Sequence, residues 1–442
     1  MKRFKKYSII FLMVLITGFF NACNEQLNLE NIGSYDPSNI WNSAESAQYY
    51  VNNCYSFTLG GGWANVGGWS DEDSHYIQQG AVTTDNGTQK FWPYSSIRSL
   101  NIGLQEAENG DMTDDEKSRI KGQLHFLRSW LYFGAVFQHG GVPIIKHPQT
   151  ANEDLYVSRN STAECFDFII EDLDKAIVSE INDRSQGGEY GMIDKAATIA
   201  FKGRVLLFKA SPMFNPDNYW DNAYWQDAYE ANKQAYNELS SMGFRLLDSY
   251  TDIFNDPKGQ SFENDEYILT KILKYPNSQM GWRTRQIRPL SVSTGDTGAD
   301  QPPWDHVTLY PMLDGKPAGE SPKYEYSINT YFKDRDPRFY RNVYYNGSIA
   351  EFEGVEGRRL YTTDDLKDLG YPGQQNDALQ GPGKNRKYNR TGFFPKKPVM
   401  EENSLNEIEQ NDKDFPFIRF AEVMLNFAEA ANETGHEEEA LE

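Results

Sequence analysis

Apolar positions along the middle of the chain recur at steps of three and four. Ile120, Leu124, Leu127, Leu131 and Ala135 form one such stripe, and this spacing predicts a long amphipathic helix. Thr113 and Glu116 stand before it as a capping box, while His139-Gly140-Gly141 stop it and Pro143 forbids its resumption. Comparable stripes follow the same rule elsewhere. Ala44, Ala47, Val51, Cys54 and Tyr55 mark a helix over 43–57, with Asn42 and Glu45 as its cap pair. Cys165, Ile169, Leu173 and Ala176 follow the caps Ser161 and Glu164. Residues 194–209 make another helix, and Ala228, Ala231, Ala235 and Leu239 lie within one over 221–239. Successive helices with small residues on one face predict stacked helix hairpins of tetratricopeptide type. The fold class is therefore mainly α: a tetratricopeptide-like α/α superhelix with long loops and little β.

Two regions break the rhythm. Residues 60–93 are rich in Gly and aromatics, a loop long enough to suggest function. Residues 255–415 are dominated by Pro, Gly, Asn and Tyr, and only short runs such as 267–273 read as strand. A last helix is predicted over 416–434 from Phe420, Met424, Phe427 and Ala431. Gly435 ends it, and 437–442 would begin its partner. With that partner unfinished, the apolar face of 417–431 is expected to be partly uncovered. The resulting division is a leader over 1–22, a tether over 23–40, a helical N-terminal domain over 41–250 and a loop-rich C-terminal domain over 251–442.

The leader carries Lys2, Arg3, Lys5 and Lys6 before an apolar run from Ile9 to Phe20, the marks of a secretory signal peptide. That run is too short to cross a hydrocarbon core of about 30 Å. Phe20-Asn21-Ala22-Cys23 resembles a bacterial lipoprotein box, with Phe20 departing from the usual Leu. Acylated Cys23 would then be a membrane anchor, stable when two or more chains are attached. The net charge of −21 excludes nucleic acid as a partner, because phosphates demand a basic surface. Cys54 and Cys165 both fall in helical patterns and read as buried thiols, with a disulfide as the alternative in an oxidising compartment.

No enzyme signature holds. His436-Glu437-Glu438-Glu439-Ala440 lacks the second histidine of a zinc helix, Gly381-Pro382-Gly383-Lys384-Asn385 lacks the frame of a phosphate loop, and Gly68-Trp69-Ser70-Asp71-Glu72 misses the last glycine of a nucleophile elbow. The acidic runs 71–73 and 296–300 have no EF-hand spacing. Neither a metal nor a cofactor is expected. The aromatic content is more telling: 27 Tyr, 26 Phe and 9 Trp, many beside Gly, Asn or Asp in loops. Sugars present apolar CH faces rimmed by hydroxyls, so a saccharide site needs flat rings with polar edges. Two loops supply both. The first has Trp63, Trp69 and Tyr76 with Asn65 and Asp71; the second has Trp282, Arg283 and Trp304 with Asp305. Trp92, at the start of a helix, reads as core.

Several segments, in order, resemble one family. They are Trp41-Asn42-Ser43-Ala44-Glu45-Ser46-Ala47, then Phe91-Trp92 with Tyr94, Ile97 and Asn101, and then the run from Gly122 to Phe133 ending in Gly140-Gly141-Val142-Pro143. Glu171-Asp172-Leu173-Asp174-Lys175-Ala176, Asp336-Pro337-Arg338-Phe339 and the run from Ile418 to Ala430 follow. The pattern is similar to the SusD/RagB outer-membrane lipoproteins. That resemblance implies surface exposure on the outer membrane and non-catalytic capture of poly- or oligosaccharide. It also implies delivery to a SusC-type TonB-dependent transporter as partner. The alternatives are capture of peptides or glycoprotein oligosaccharide, or a surface glycoside hydrolase. The family continues past the last helix with a second helix and a tail that this sequence does not show, so the chain is expected to be a fragment, a C-terminally truncated form or a defective protein.

Overall fold

The computed structural model describes residues 37–60, 91–185, 189–218, 222–250, 264–277, 301–352 and 404–442. It also describes the shorter stretches 253, 287–289, 292–293, 359–361, 375–376, 379–380, 387–388, 391–397 and 399–401. Six long helices build the scaffold of the described residues: α1 (Ala44–Thr58), α2 (Tyr94–Asn109), α3 (Asp114–His139), α4 (Thr162–Ile177), α5 (Lys195–Ala210) and α6 (Tyr224–Ser241). Consecutive helices from α2 onward pack on one another, and α1 packs on both α2 and α3. The superhelix of hairpins expected from the sequence is thus the architecture observed.

The predicted caps largely hold. Thr113 with Glu116 and Ser161 with Glu164 form capping boxes, satisfying two otherwise orphaned donors each. At the end of α3 the chain turns at Gly140, whose φ of 66° suits glycine. One cap moves: Ser43, not Asn42, caps α1, accepting from the Ser46 amide at 3.2 Å. Asn42 is instead the last residue of a 3-10 turn, Pro37–Asn42.

The central helix α3 is buried on several faces, with Ile120, Leu124, Leu127, Leu131 and Ala135 all in the core. An aromatic ladder joins it to α5: Trp130–Phe201 at 4.7 Å, Phe133–Phe201 at 5.4 Å and Phe133–Phe208 at 5.4 Å between ring centroids. Where α5 meets α6, the Asn232 amide donates to the Gly203 carbonyl at 3.1 Å. A Cβ at 203 would run into that amide, so glycine is required by close approach. Cys54 and Cys165 are free, buried thiols on α1 and α4. Burial pushes the Cys54 thiol up to about 12. No helix of the described residues is long and apolar enough to cross a membrane.

The C-terminal half returns to this stack. Strand β1 (Tyr267–Lys271) pairs antiparallel with β2 (Phe415–Arg419), and helix α10 (Phe420–Glu433) starts directly after β2. The helix expected from 416 therefore begins at Phe420. Pro416 pushes Phe415 out of the helical region, and pairing with β1 takes the next residues. Arg204 of α5 fastens the junction, bridging Glu422 and donating to the Phe417 carbonyl at 3.1 Å. Between the strands lie the short helices α7 (Trp304–Leu309), α8 (Pro337–Asn342) and α9 (Leu405–Glu409), with two-residue ladders such as Val343–Tyr344 against Phe394–Pro395.

The apolar stripe of α10 is covered more fully than the sequence suggested. Phe420, Val423, Ala430 and Ala431 are buried, and Phe427 lies 6.0 Å from Tyr229 and 5.6 Å from Tyr236 of α6. The cover comes from the preceding helices α6 and α5 and from the short helix that follows α10. Leu425, on the far side, is 69% exposed. Helix α11 (Glu437–Leu441) docks through Glu439, which takes hydrogen bonds from Tyr229 at 3.0 Å and Lys233 at 2.8 Å.

Candidate functional site

The loop-rich half gathers its rings into one surface. Pro302 and Pro303 lead into α7, which turns Val307 inward against Phe339, Val343 and Phe393. Trp304, the first residue of α7, is half-buried. Its ring meets Tyr331 edge-on at 5.2 Å and stacks over Phe393 at 6.1 Å. Tyr331 is the hub, 5.5 Å from Phe332 and 6.4 Å from Tyr345, and Phe332 stacks on Tyr345 at 5.3 Å. Trp304, Tyr331, Phe332 and Tyr345 are each half-buried, so each ring is anchored from below yet meets water.

Polar groups stand at the edge. Asp305 and His306 are exposed on α7, and His306 lies 5.5 Å from the Tyr310 ring. Asp336 accepts two hydrogen bonds from the Arg338 guanidinium, at 2.9 and 2.8 Å, which hold its carboxyl below the usual range. Burial pushes the Tyr331 phenol up to about 12, so it stays neutral and able to donate at physiological pH. Anchored rings with carboxylate, imidazole and guanidinium at the rim can stack on a sugar's CH face and bond its hydroxyls.

Of the site residues expected from sequence, the described residues include Trp304 and its polar neighbour Asp305. Trp63, Trp69, Tyr76, Trp282 and Arg283 lie outside them, as do Asn65, Asp71 and the anchor Cys23. Sequence reasoning missed Tyr331, Phe332, Tyr345 and Phe393. The available signal was the density of rings around Asp336-Pro337-Arg338, where Tyr324, Tyr326, Tyr331, Phe332, Phe339, Tyr340, Tyr344 and Tyr345 crowd together.

Trp92 overturns its expectation as core. It is 50% exposed, resting on Tyr94 at 4.9 Å and His139 at 5.3 Å. The inward slot belongs to its neighbour Phe91, which packs against the core over Gly134 of α3.

A second polar cluster lies in the scaffold. Arg128 donates to both oxygens of Asp172, each at 2.7 Å, and to Asn101 Oδ1 at 2.7 Å, while His125 Nδ1 sits 2.8 Å from Asp172. Burial raises the Asp172 carboxyl, but the bonds from Arg128 and His125 more than reverse this and leave it low. Burial holds His125 below its ordinary value against the pull of Asp172, so the imidazole is neutral and donates from Nδ1. The pair superficially resembles a catalytic dyad. It is buried, however, and its bonds are spent tying α2, α3 and α4 together, with Asn101 reaching the Ile145 carbonyl at 2.8 Å. This cluster is structural.

A family model described as "SusD family" matches residues 208–442, more than half of the chain. Another, described as "Starch-binding associating with outer membrane", matches residues 26–207. The chain belongs to the SusD family. Among its relatives, a SusD-like protein from Formosa agariphila is 22% identical, the match covering all of this chain and 81% of that protein. Solved structures share the fold. A SusD-like protein from Bacteroides fragilis is 24% identical with a TM-score of 0.69, the match covering 92% of this chain and 78% of that one. A SusD-like carbohydrate binding protein from the same organism is 22% identical with a TM-score of 0.64, covering 90% and 75%. In this SusD-family chain the helices α1–α4 fall in the starch-binding match, and the ring surface of Trp304 and Tyr331 falls in the SusD match.

Proposed function

We propose that this protein captures a poly- or oligosaccharide at the bacterial cell surface without cleaving it and passes it to a SusC-type TonB-dependent transporter. The observation that carries the reading is the half-buried ring surface of Trp304, Tyr331, Phe332 and Tyr345, rimmed by Asp305 and His306. Half-burial suits a stacking platform, which needs one face anchored and the other wet. The description of the N-terminal family match, starch-binding and associated with the outer membrane, supports the same reading. Trp63, Trp69, Tyr76, Trp282 and Arg283 are proposed to complete the site from loops on either side, and acylated Cys23 to hold the body at the membrane.

Calorimetric titration tests the site. Starch oligosaccharides and a panel of plant and host glycans are titrated into the parent and into Trp63→Ala, Trp69→Ala, Trp282→Ala and Trp304→Ala. Losing a central aromatic contact costs about 2 kcal/mol or more, roughly 30-fold in affinity. At least one of the four should lose that much, and the ligand should emerge intact. A parent that binds no glycan, or whose four variants all bind as it does, sinks the proposal. Cys23→Ala should release the protein from the membrane fraction, and unchanged sedimentation would count against the anchor.

A further inference from the structure

One buried side chain holds both halves of the ring surface. Arg335 is 1% exposed, and its guanidinium is spent on main-chain carbonyls. Nη2 donates to Val307 at 3.0 Å and also to Tyr310, while Nε reaches Pro311 at 3.4 Å. Nη1 donates to Tyr331 at 2.7 Å. These carbonyls are not a random set. Val307 and Tyr310 lie in the last turn and at the C-cap of α7, and Tyr331 caps the 3-10 turn Ile328–Thr330. A helix end leaves its final carbonyls without intrahelical partners and carries partial negative charge, so a cation there is doubly favoured. One guanidinium therefore closes the ends of two short helices at once.

Each of those helices carries one ring of the central pair: Trp304 begins α7, and Tyr331 ends the 3-10 turn. Neither element is long enough to hold its orientation by its own hydrogen bonds. Two contacts add to the clamp. The Arg335 amide donates to the Tyr340 hydroxyl at 3.2 Å, and that hydroxyl donates to the Phe332 carbonyl at 2.7 Å. Arg335 is thus tied to the position of a third ring. A lysine in its place would keep the charge but not the planar fork that reaches carbonyls in two directions.

We infer that Arg335 is the positioning residue of the glycan platform, fixing the Trp304 and Tyr331 rings in their edge-on arrangement through the ends of the two helices that bear them. The inference rests on the proposed binding reading, but its first test needs no ligand. The full-length protein is labelled with 5-fluorotryptophan, and the Trp304 resonance is assigned by its loss in Trp304→Phe. Arg335→Lys should shift that one resonance among the nine tryptophans and leave the others in place. Tyr340→Phe, a milder change that removes only a hydroxyl, should shift it in the same direction by less. Should Arg335→Lys fail to fold, Tyr340→Phe alone decides. A Trp304 resonance unmoved in every folded variant overturns the inference.

The second test uses maltoheptaose, or whichever glycan of the panel the parent binds. Arg335→Lys should weaken binding on the order of tenfold, part of the 30-fold assigned to a whole ring. It should cost less in a Trp304→Ala background, because the part of its effect that runs through the Trp304 ring is already gone and only the part through Tyr331 remains. An undiminished loss in that background would mean that Arg335 acts on the ligand by another route, which also overturns the inference. A parent without glycan affinity would refute the binding reading and leave the fluorine result to stand or fall by itself.

Discussion

The Arg128–Asp172 pair gives a sharp energetic test of the scaffold. Both side chains are buried, Arg128 at 3% and Asp172 at 0% exposure, and both carboxylate oxygens accept from the same guanidinium at 2.7 Å. Asp172→Asn keeps the shape but removes the charge, leaving a guanidinium in the core without its counter-ion. Stranding one member of a buried pair typically costs about 3–5 kcal/mol, whereas replacing both with apolar groups of similar volume is often close to neutral. Asp172→Asn should therefore lose about 3–5 kcal/mol, a large share of the roughly 5–15 kcal/mol available to a folded domain. The double variant Arg128→Met with Asp172→Leu should lose less than Asp172→Asn alone. Urea unfolding of the full chain, followed by far-UV circular dichroism and extrapolated to water, measures both. A single variant within about 1 kcal/mol of the parent, the scale of one ordinary hydrogen bond, would show that these charges are not desolvated as described. A double variant worse than the single would refute the reasoning as well.

Two further outcomes follow from the same geometry. Burial lowers the His125 pKa in the folded protein, so the unfolded chain binds more protons below its ordinary value of about 6.5. Stability should then fall as pH drops through that point, and fall again below about 3.9, where Asp172 of the unfolded chain takes up a proton that the depressed folded carboxylate does not. His125→Gln should remove the upper of these two losses; urea midpoints at stepped pH check it, and an unchanged upper limb refutes it. Trp92→Ala should alter thermal stability by less than the roughly 3–5 kcal/mol of a core aromatic truncation, because half of the ring already meets water; a full core-sized loss in calorimetry would contradict the exposed placement.

The helices were legible because their cause is local. A stripe such as Ile120 to Ala135 between Thr113 and Gly140 carries its period, start and stop within one stretch. The start of α10 was misread because its cause is distant: residues 415–419 extend only because 267–271 lie beside them. Trp92 was misjudged because the choice between it and Phe91 depends on Gly134 of another helix, which leaves room for one ring. The ring surface was half legible. Trp304 announced itself by its Pro302-Pro303 approach and acidic neighbour, while Tyr331, Phe332 and Tyr345 hide in an aromatic-rich stretch where no period distinguishes a wet ring from a buried one. Arg335 is invisible to pattern, since its partners are carbonyls rather than side chains.

The pairing of β1 with β2 has a consequence for how such a protein can change. Residues 272–414 leave the helical stack at one strand and return at its neighbour, with Glu266 bonded to Arg419 and Arg204 to Glu422 across the seam. The seam thus clamps both ends of the intervening stretch. The entropic cost of closing such an excursion rises only with the logarithm of its length, about 0.6 kcal/mol for each doubling. Ring-bearing loops can therefore lengthen, shorten or exchange their side chains at small expense to the stack, because the seam fastens the ends of the stretch that carries them. A scaffold sutured in this way separates the residues that must stay from those free to vary.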